Sequence, residues 1–134
     1  MPNHWLLKTE PTTYSFTDLL RDKRTTWDGV SNPTALINLR TMRKGDAALV
    51  CHTGAEKAIV GVARLVSDPY ADPKLDDPKR VVVDLEAVRR LKAPLPLAAV
   101  KADKRFADFA LVRIPRLSVM PVSAAQWKAL GIED

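Results

Sequence analysis

The sequence predicts a single α+β domain built around a curved or barrel-like β-sheet flanked by short helices. Three observations predict it. The 134 residues suffice for one domain with its own core. The apolar and breaker pattern orders the chain as strand, helix, helix, a run of strands and a closing helix. Consecutive strands with few crossovers favour a sheet that bends toward closure. Residues 1–134 read as one unit, without internal repeat, low-complexity tract or linker.

Trp5-Leu6-Leu7-Lys8 is a short apolar strand, ended by Glu10-Pro11 because proline cannot donate to a ladder. Ser15 then precedes Phe16, Leu19 and Leu20 at helical spacing, with Asp18 near the positive helix end. Arg21, Lys23 and Arg24 close that helix, and a loop leads to Trp27-Asp28-Gly29-Val30. Asn32-Pro33 opens a second helix as N-cap and first helical residue. Its apolar face is Ala35, Leu36, Leu39 and Met42, and Gly45 is the expected stop. Strands are expected over 47–52, 58–66, 80–91 and 116–122, with Gly61 a bulge or a point of close approach. The Asp- and Pro-rich stretch 67–79 reads as a surface loop and 97–102 as a helical turn. Ser123 with Gln126 is a capping box for a final helix through Leu130.

Lys and Arg outnumber Asp and Glu by 21 to 16, a net +5 that favours a polyanionic partner. No apolar run approaches the roughly 20 residues that cross a bilayer, so no membrane partner is expected. Met1-Pro2-Asn3-His4-Trp5 lacks the basic and apolar regions of a signal peptide. The single cysteine, Cys51, suits a reducing cytoplasm. There is no glycine-rich phosphate loop and no dinucleotide fingerprint. His4 and His52 are too far apart in sequence, with one cysteine, to form a metal-ligand cluster. Cys51 and His52 are adjacent and would point to opposite faces of a strand, which disfavours a nucleophile–base pair. No catalytic residue, metal or cofactor is therefore expected.

Trp27 has two readings, a core tryptophan or a platform on which a base stacks, with Asp28-Gly29 a turn that lets backbone approach a ligand. Lys8-Thr9, ending the first strand, is either a solvated strand end or a phosphate and base-edge contact. His52-Thr53 likewise ends a buried strand, as a turn cap or as part of a small pocket. The basic clusters 21–24, 40–44, 89–92 and 101–105 each read alone as a solvated face.

Several collinear pieces together resemble the EVE domain family of the PUA-like superfamily, its compact bacterial members in particular. They are Trp5-Leu6-Leu7-Lys8-Thr9-Glu10-Pro11 with Tyr14-Ser15; Trp27-Asp28-Gly29-Val30 with Asn32 and Ala35; Met42-Arg43-Lys44-Gly45-Asp46 leading to His52-Thr53; Val60-Gly61-Val62-Ala63; Pro69-Tyr70-Ala71-Asp72-Pro73; and Arg116-Leu117-Ser118-Val119-Met120-Pro121-Val122 before Trp127. The resemblance spans nearly the whole chain.

It implies a PUA-like curved, mixed sheet and a non-enzymatic module that binds DNA or RNA and closes a pocket on a modified base, modified cytosine in DNA foremost. By that resemblance Trp27 is the stacking residue, and Lys8, Thr9, Val30, Asn32, His52, Thr53 and Ser118 are pocket candidates. Arg40, Arg43 and Arg116 are expected at phosphates. Two positions depart from the family pattern. Ser31 stands where arginine is common, removing a planar charged donor. Cys51 stands where tyrosine is common, removing an aromatic wall. These departures leave room for a protein-interaction domain that has lost its ligand. An enzyme acting on nucleic acid or nucleotides would need Glu10 or Asp28 paired with His52.

Overall fold

The computed structural model describes residues 3–132. Met1 and Pro2, the first residues of the segment read as lacking a signal peptide, lie outside the described residues, as do Glu133 and Asp134 at the end of the predicted domain. The strands are β1 (His4–Thr9), β2 (Arg24–Trp27), β3 (Ala47–His52), β4 (Ala58–Leu65), β5 (Tyr70–Ala71), β6 (Val81–Pro96) and β7 (Val119–Val122). The helices are α1 (Phe16–Asp22), α2 (Pro33–Thr41), α3 (Leu97–Ala102), α4 (Ala110–Arg113) and α5 (Ala124–Ala129), with a 3-10 turn over Lys104–Phe106.

The sheet runs β2-β6-β4-β3-β1-β7, with β5 added to β6. It is mixed, because β1 pairs in parallel with β3 and antiparallel with β7. The ladder stays open between β2 and β7, so the sheet is barrel-like without being a closed barrel. Among the described residues no helix is long and apolar enough to cross a membrane.

Local signals in the chain set the helix starts. Ser15 accepts from Asp18 N while the Asp18 carboxylate accepts from Ser15 N, and Ser123 and Gln126 repeat the arrangement at α5. Asn32 Oδ1 accepts from Ala35 N at 3.0 Å, and Pro33 occupies the first turn of α2. Helix α2 stops at Thr41 rather than at Gly45, because Met42 is already extended. Gly45 instead makes a left-handed turn (φ 94°) whose N–H donates to Leu65 O.

Other expectations need correction. Arg24 to Trp27 form an edge strand rather than a loop, in register with Val83 to Glu86 of β6. The 67–79 loop contains the two-residue β5. Strand β6 runs on to Pro96, and β7 begins at Val119, leaving Arg116 in the preceding turn.

The core gathers buried residues from β1, β3, β4, β6 and β7 together with Phe16, Leu19, Leu36, Leu39 and Trp127 of the helices. Along β4 only Arg64 is exposed. Gly61 is both a close-approach point and a neighbour of register shifts, since a Cβ there would overlap the Phe16 ring. One buried carboxylate ties the sheet to the turn after α2. Asp46 accepts from Trp5 Nε1 at 2.8 Å, from Asn3 N at 2.9 Å and from Arg43 N at 3.0 Å. Its burial is thus matched by donors rather than left as a cost.

Candidate functional site

Strand β2 and strand β1 stand four ladder steps apart, roughly 19 Å on a flat sheet at ~4.8 Å per strand. Yet Thr25, Thr26 and Trp27 of β2 and Lys8 and Thr9 of β1 line one cavity of about 680 Å³. The curl of the sheet brings them together. The 28–32 segment, Thr13, Tyr14, Lys74 and Ser118 complete the wall.

Of the eight predicted pocket residues, Trp27, Lys8, Thr9, Val30, Asn32 and Ser118 line this cavity, and His52 and Thr53 do not. His52 is buried behind the wall. Its Nε2 accepts the N–H of Phe16 at 3.0 Å, and its Nδ1 lies 2.9 Å from Glu56 Oε1. That pairing requires the tautomer with the proton on Nδ1. Thr53 N donates to Thr9 O at 2.9 Å, bracing the end of β1. Both residues support the wall from outside it.

The wall is held in detail. Thr9 Oγ1 donates to Tyr14 O at 2.6 Å, and Tyr14 OH donates to Asp22 at 2.8 Å. Burial raises the Tyr14 phenol above its ordinary pKa, with the Asp22 carboxylate adding to the rise and a Thr25 hydrogen bond opposing it. Lys8 Nζ donates to Pro115 O at 2.8 Å. Burial pushes the Lys8 ammonium below its ordinary pKa; the facing Cys51 thiol offsets part of this and Lys101 adds a further fall. Arg80 Nε donates to Val30 O at 2.9 Å and fixes the far side of the 28–32 segment. Because Asn32 Oδ1 is used as the α2 cap, its Nδ2 hydrogens remain as donors.

Trp27 is only 8% exposed, so it forms part of the wall rather than an open shelf. Both sequence readings of this residue therefore meet: it belongs to the core cluster and it borders the cavity. Reasoning from sequence missed Thr13, Tyr14, Thr25, Thr26 and Lys74 as lining residues. Only the register of β2 on β6 could have revealed the two threonines.

The three predicted phosphate residues separate. Arg116 is exposed two residues before Ser118. Arg40 Nη1 donates to Lys79 O at 3.0 Å, and Arg43 Nη1 donates to Arg40 O and Met42 O. These two arginines border a different, shallow groove with Asp68, Tyr70 and Val81. Among the described residues no cluster of His, Cys, Asp and Glu could hold a metal ion.

A mixed sheet curled around a polar-walled cavity, with short helices on its flanks, defines a PUA-like domain. Residues 3–131 match the EVE domain, and the chain belongs to the EVE family. Human thymocyte nuclear protein 1 is 30% identical to it over 169 aligned residues, which take in 100% of this chain and 75% of that protein. Rpa0253 from Rhodopseudomonas palustris, solved by NMR, is 41% identical with a TM-score of 0.90, covering 95% of this chain and 89% of that one. The crystal structure of human THYN1 protein in complex with 5-methylcytosine-containing DNA gives a TM-score of 0.87 at 28% identity, covering 98% of this chain and 99% of that one.

Proposed function

We propose that this protein is a non-enzymatic nucleic-acid-binding module that takes one modified base, foremost a modified cytosine in DNA, into the cavity between β1 and β2. The observation that supports it most is the cavity itself. Its volume of about 680 Å³ falls within the roughly 300–1,000 Å³ of small-ligand sites, and its wall combines an aromatic, an apolar side chain and several donors. The human relative's complex with 5-methylcytosine-containing DNA points to the ligand class.

In this reading the base leaves its stack and enters beside Trp27. Trp27 and Val30 give apolar contact to the ring and its methyl group. Lys8, Asn32 and Ser118 donate to the acceptors on the base edge, and Asp28 accepts from an exocyclic amine such as that of cytosine. The Thr9 hydroxyl, its hydrogen already given to Tyr14 O, can likewise only accept. His52 and Thr53 keep the wall in place. Arg116 meets a phosphate beside the mouth.

The test is binding of short labelled single- and double-stranded DNA and RNA carrying unmodified, methylated or hydroxymethylated cytosine, or methylated adenine. Wild type and Trp27→Ala are compared at two salt concentrations. A modified-cytosine probe should bind tightest, and Trp27→Ala should weaken it roughly 5- to 150-fold, the ~1–3 kcal/mol of one stacked base. Equal, salt-sensitive binding of every probe, unchanged by Trp27→Ala, would leave only a basic surface and overturn the proposal.

A further inference from the structure

A base can reach the cavity from a duplex only if something parts the stack and occupies the space it leaves. We propose that the 113–116 turn is that device: Ile114 enters a duplex next to the extruded base, while Arg113 and Arg116 hold the adjoining phosphates. The proposal rests on the base-reading function above and adds the substrate form, a paired duplex.

Among the described residues four large apolar side chains are exposed, and of these Ile114, at 49%, is the one set between two arginines on a turn bonded to a cavity residue. The carbonyl of the next residue, Pro115, accepts from Lys8 Nζ at 2.8 Å, and Lys8 lines the cavity. Two residues further on, Leu117 is buried and Ser118 is part of the cavity wall, its carbonyl accepting from Lys8 N at 2.9 Å. The turn is thus fixed to the rim at both the side chain and the backbone of Lys8.

It is also stiff. Ile114 N donates to Ala110 O at 2.8 Å, Leu117 N donates to Ile114 O at 3.0 Å, and Pro115 has its φ locked by its ring. At 49% exposure the isoleucine leaves about half of its apolar surface in water. Proteins that unstack base steps insert apolar side chains of this kind.

The charge around the turn matches. Residues 101–116 carry five cations, Lys101, Lys104, Arg105, Arg113 and Arg116, against Asp103 and Asp108. Arg105 pairs with Asp103 at 2.7 Å and Arg113 with Asp108 at 3.6 Å, which leaves a positive surplus on the segment that leads into Ser118 of the cavity wall. Lys101 is near enough to be felt at Lys8. A single strand has no closed stack to part, so the wedge assigns a duplex as the partner.

The experiment uses the whole protein and three probes with the same modified cytosine: a fully paired duplex, a duplex with a mismatch opposite that base, and the single strand. Ile114→Ala should weaken the paired duplex about tenfold and the other two less than about twofold, because opening is already paid for in them. Its thermal midpoint should match wild type, the side chain being half exposed. Trp27→Ala, by contrast, should weaken all three. Equal loss on the three probes, or no loss on the paired duplex, overturns the wedge while leaving the pocket reading intact. If wild type binds no modified probe better than its unmodified counterpart, the pocket reading fails and the wedge with it.

Discussion

The Phe16 ring occupies the space that a side chain at Gly61 would need. Phe16 is fully buried at the start of α1, its N–H is held by His52, and Gly61 lies on β4 opposite Val50. The first helix can sit against the sheet only because position 61 has no Cβ, and with that helix come Thr13 and Tyr14 of the cavity wall.

Gly61→Ala should therefore destabilise the fold by about 1–3 kcal/mol, the usual cost of overpacking a filled core. Urea unfolding would show a lower midpoint with an unchanged slope. An Ala variant as stable as wild type would mean that α1 can shift outward without penalty.

Arg116→Ala should weaken every nucleic-acid probe to a similar degree and lower the slope of log K against log salt by about one. Arg43→Ala should leave that slope unchanged, since Arg43 is spent on its own helix end and borders the other groove. Salt titrations of the two variants against one probe decide the matter; an equal change in slope would place the phosphate track over α2 as well.

Burial pushes the Cys51 thiol up to about 11 from an ordinary value of 9.0, against a smaller pull from Lys8. The folded state thus disfavours the thiolate. The associated stability is full below about pH 9 and falls as pH rises toward 11, by about 2–3 kcal/mol in all. The depressed Lys8 pKa works in the opposite direction over the alkaline range. Urea midpoints at about pH 8 and pH 10.5 should drop more steeply for wild type than for Cys51→Ala. Parallel slopes would show that the thiol does not contribute.

Much of this was legible in the chain because the signals were local. Capping at Ser15, Asn32 and Ser123 needs only a few neighbouring residues, and the sequence carries them. Strand β2 was hidden because Arg24, Thr25 and Thr26 carry no apolar alternation; its strand state comes from pairing with β6, a tertiary contact. His52 and Thr53 were grouped with the pocket because they end a strand beside β1. The ladder shifts register between Val50 and Cys51, and spacing alone could not show which way the side chains after that bulge would face. The arginines at 40 and 43 look alike in sequence to Arg116, and only the positions of their carbonyl partners set them apart.

Strand β1 is the earliest described strand and β7 the latest, yet they are neighbours, His4 opposite Val122 and Leu7 opposite Val119. While the chain is being synthesised, β1 has no partner until β3 has been made, and one of its edges stays bare until β7 has emerged. For that interval Trp5, Leu6 and Leu7 present an apolar strand edge of the kind that joins other chains. Contacts of such long sequence separation also slow folding, because the loop between them must close before they form. A nascent chain of this sequence therefore keeps its sheet unfinished until β7 has emerged to pair with β1.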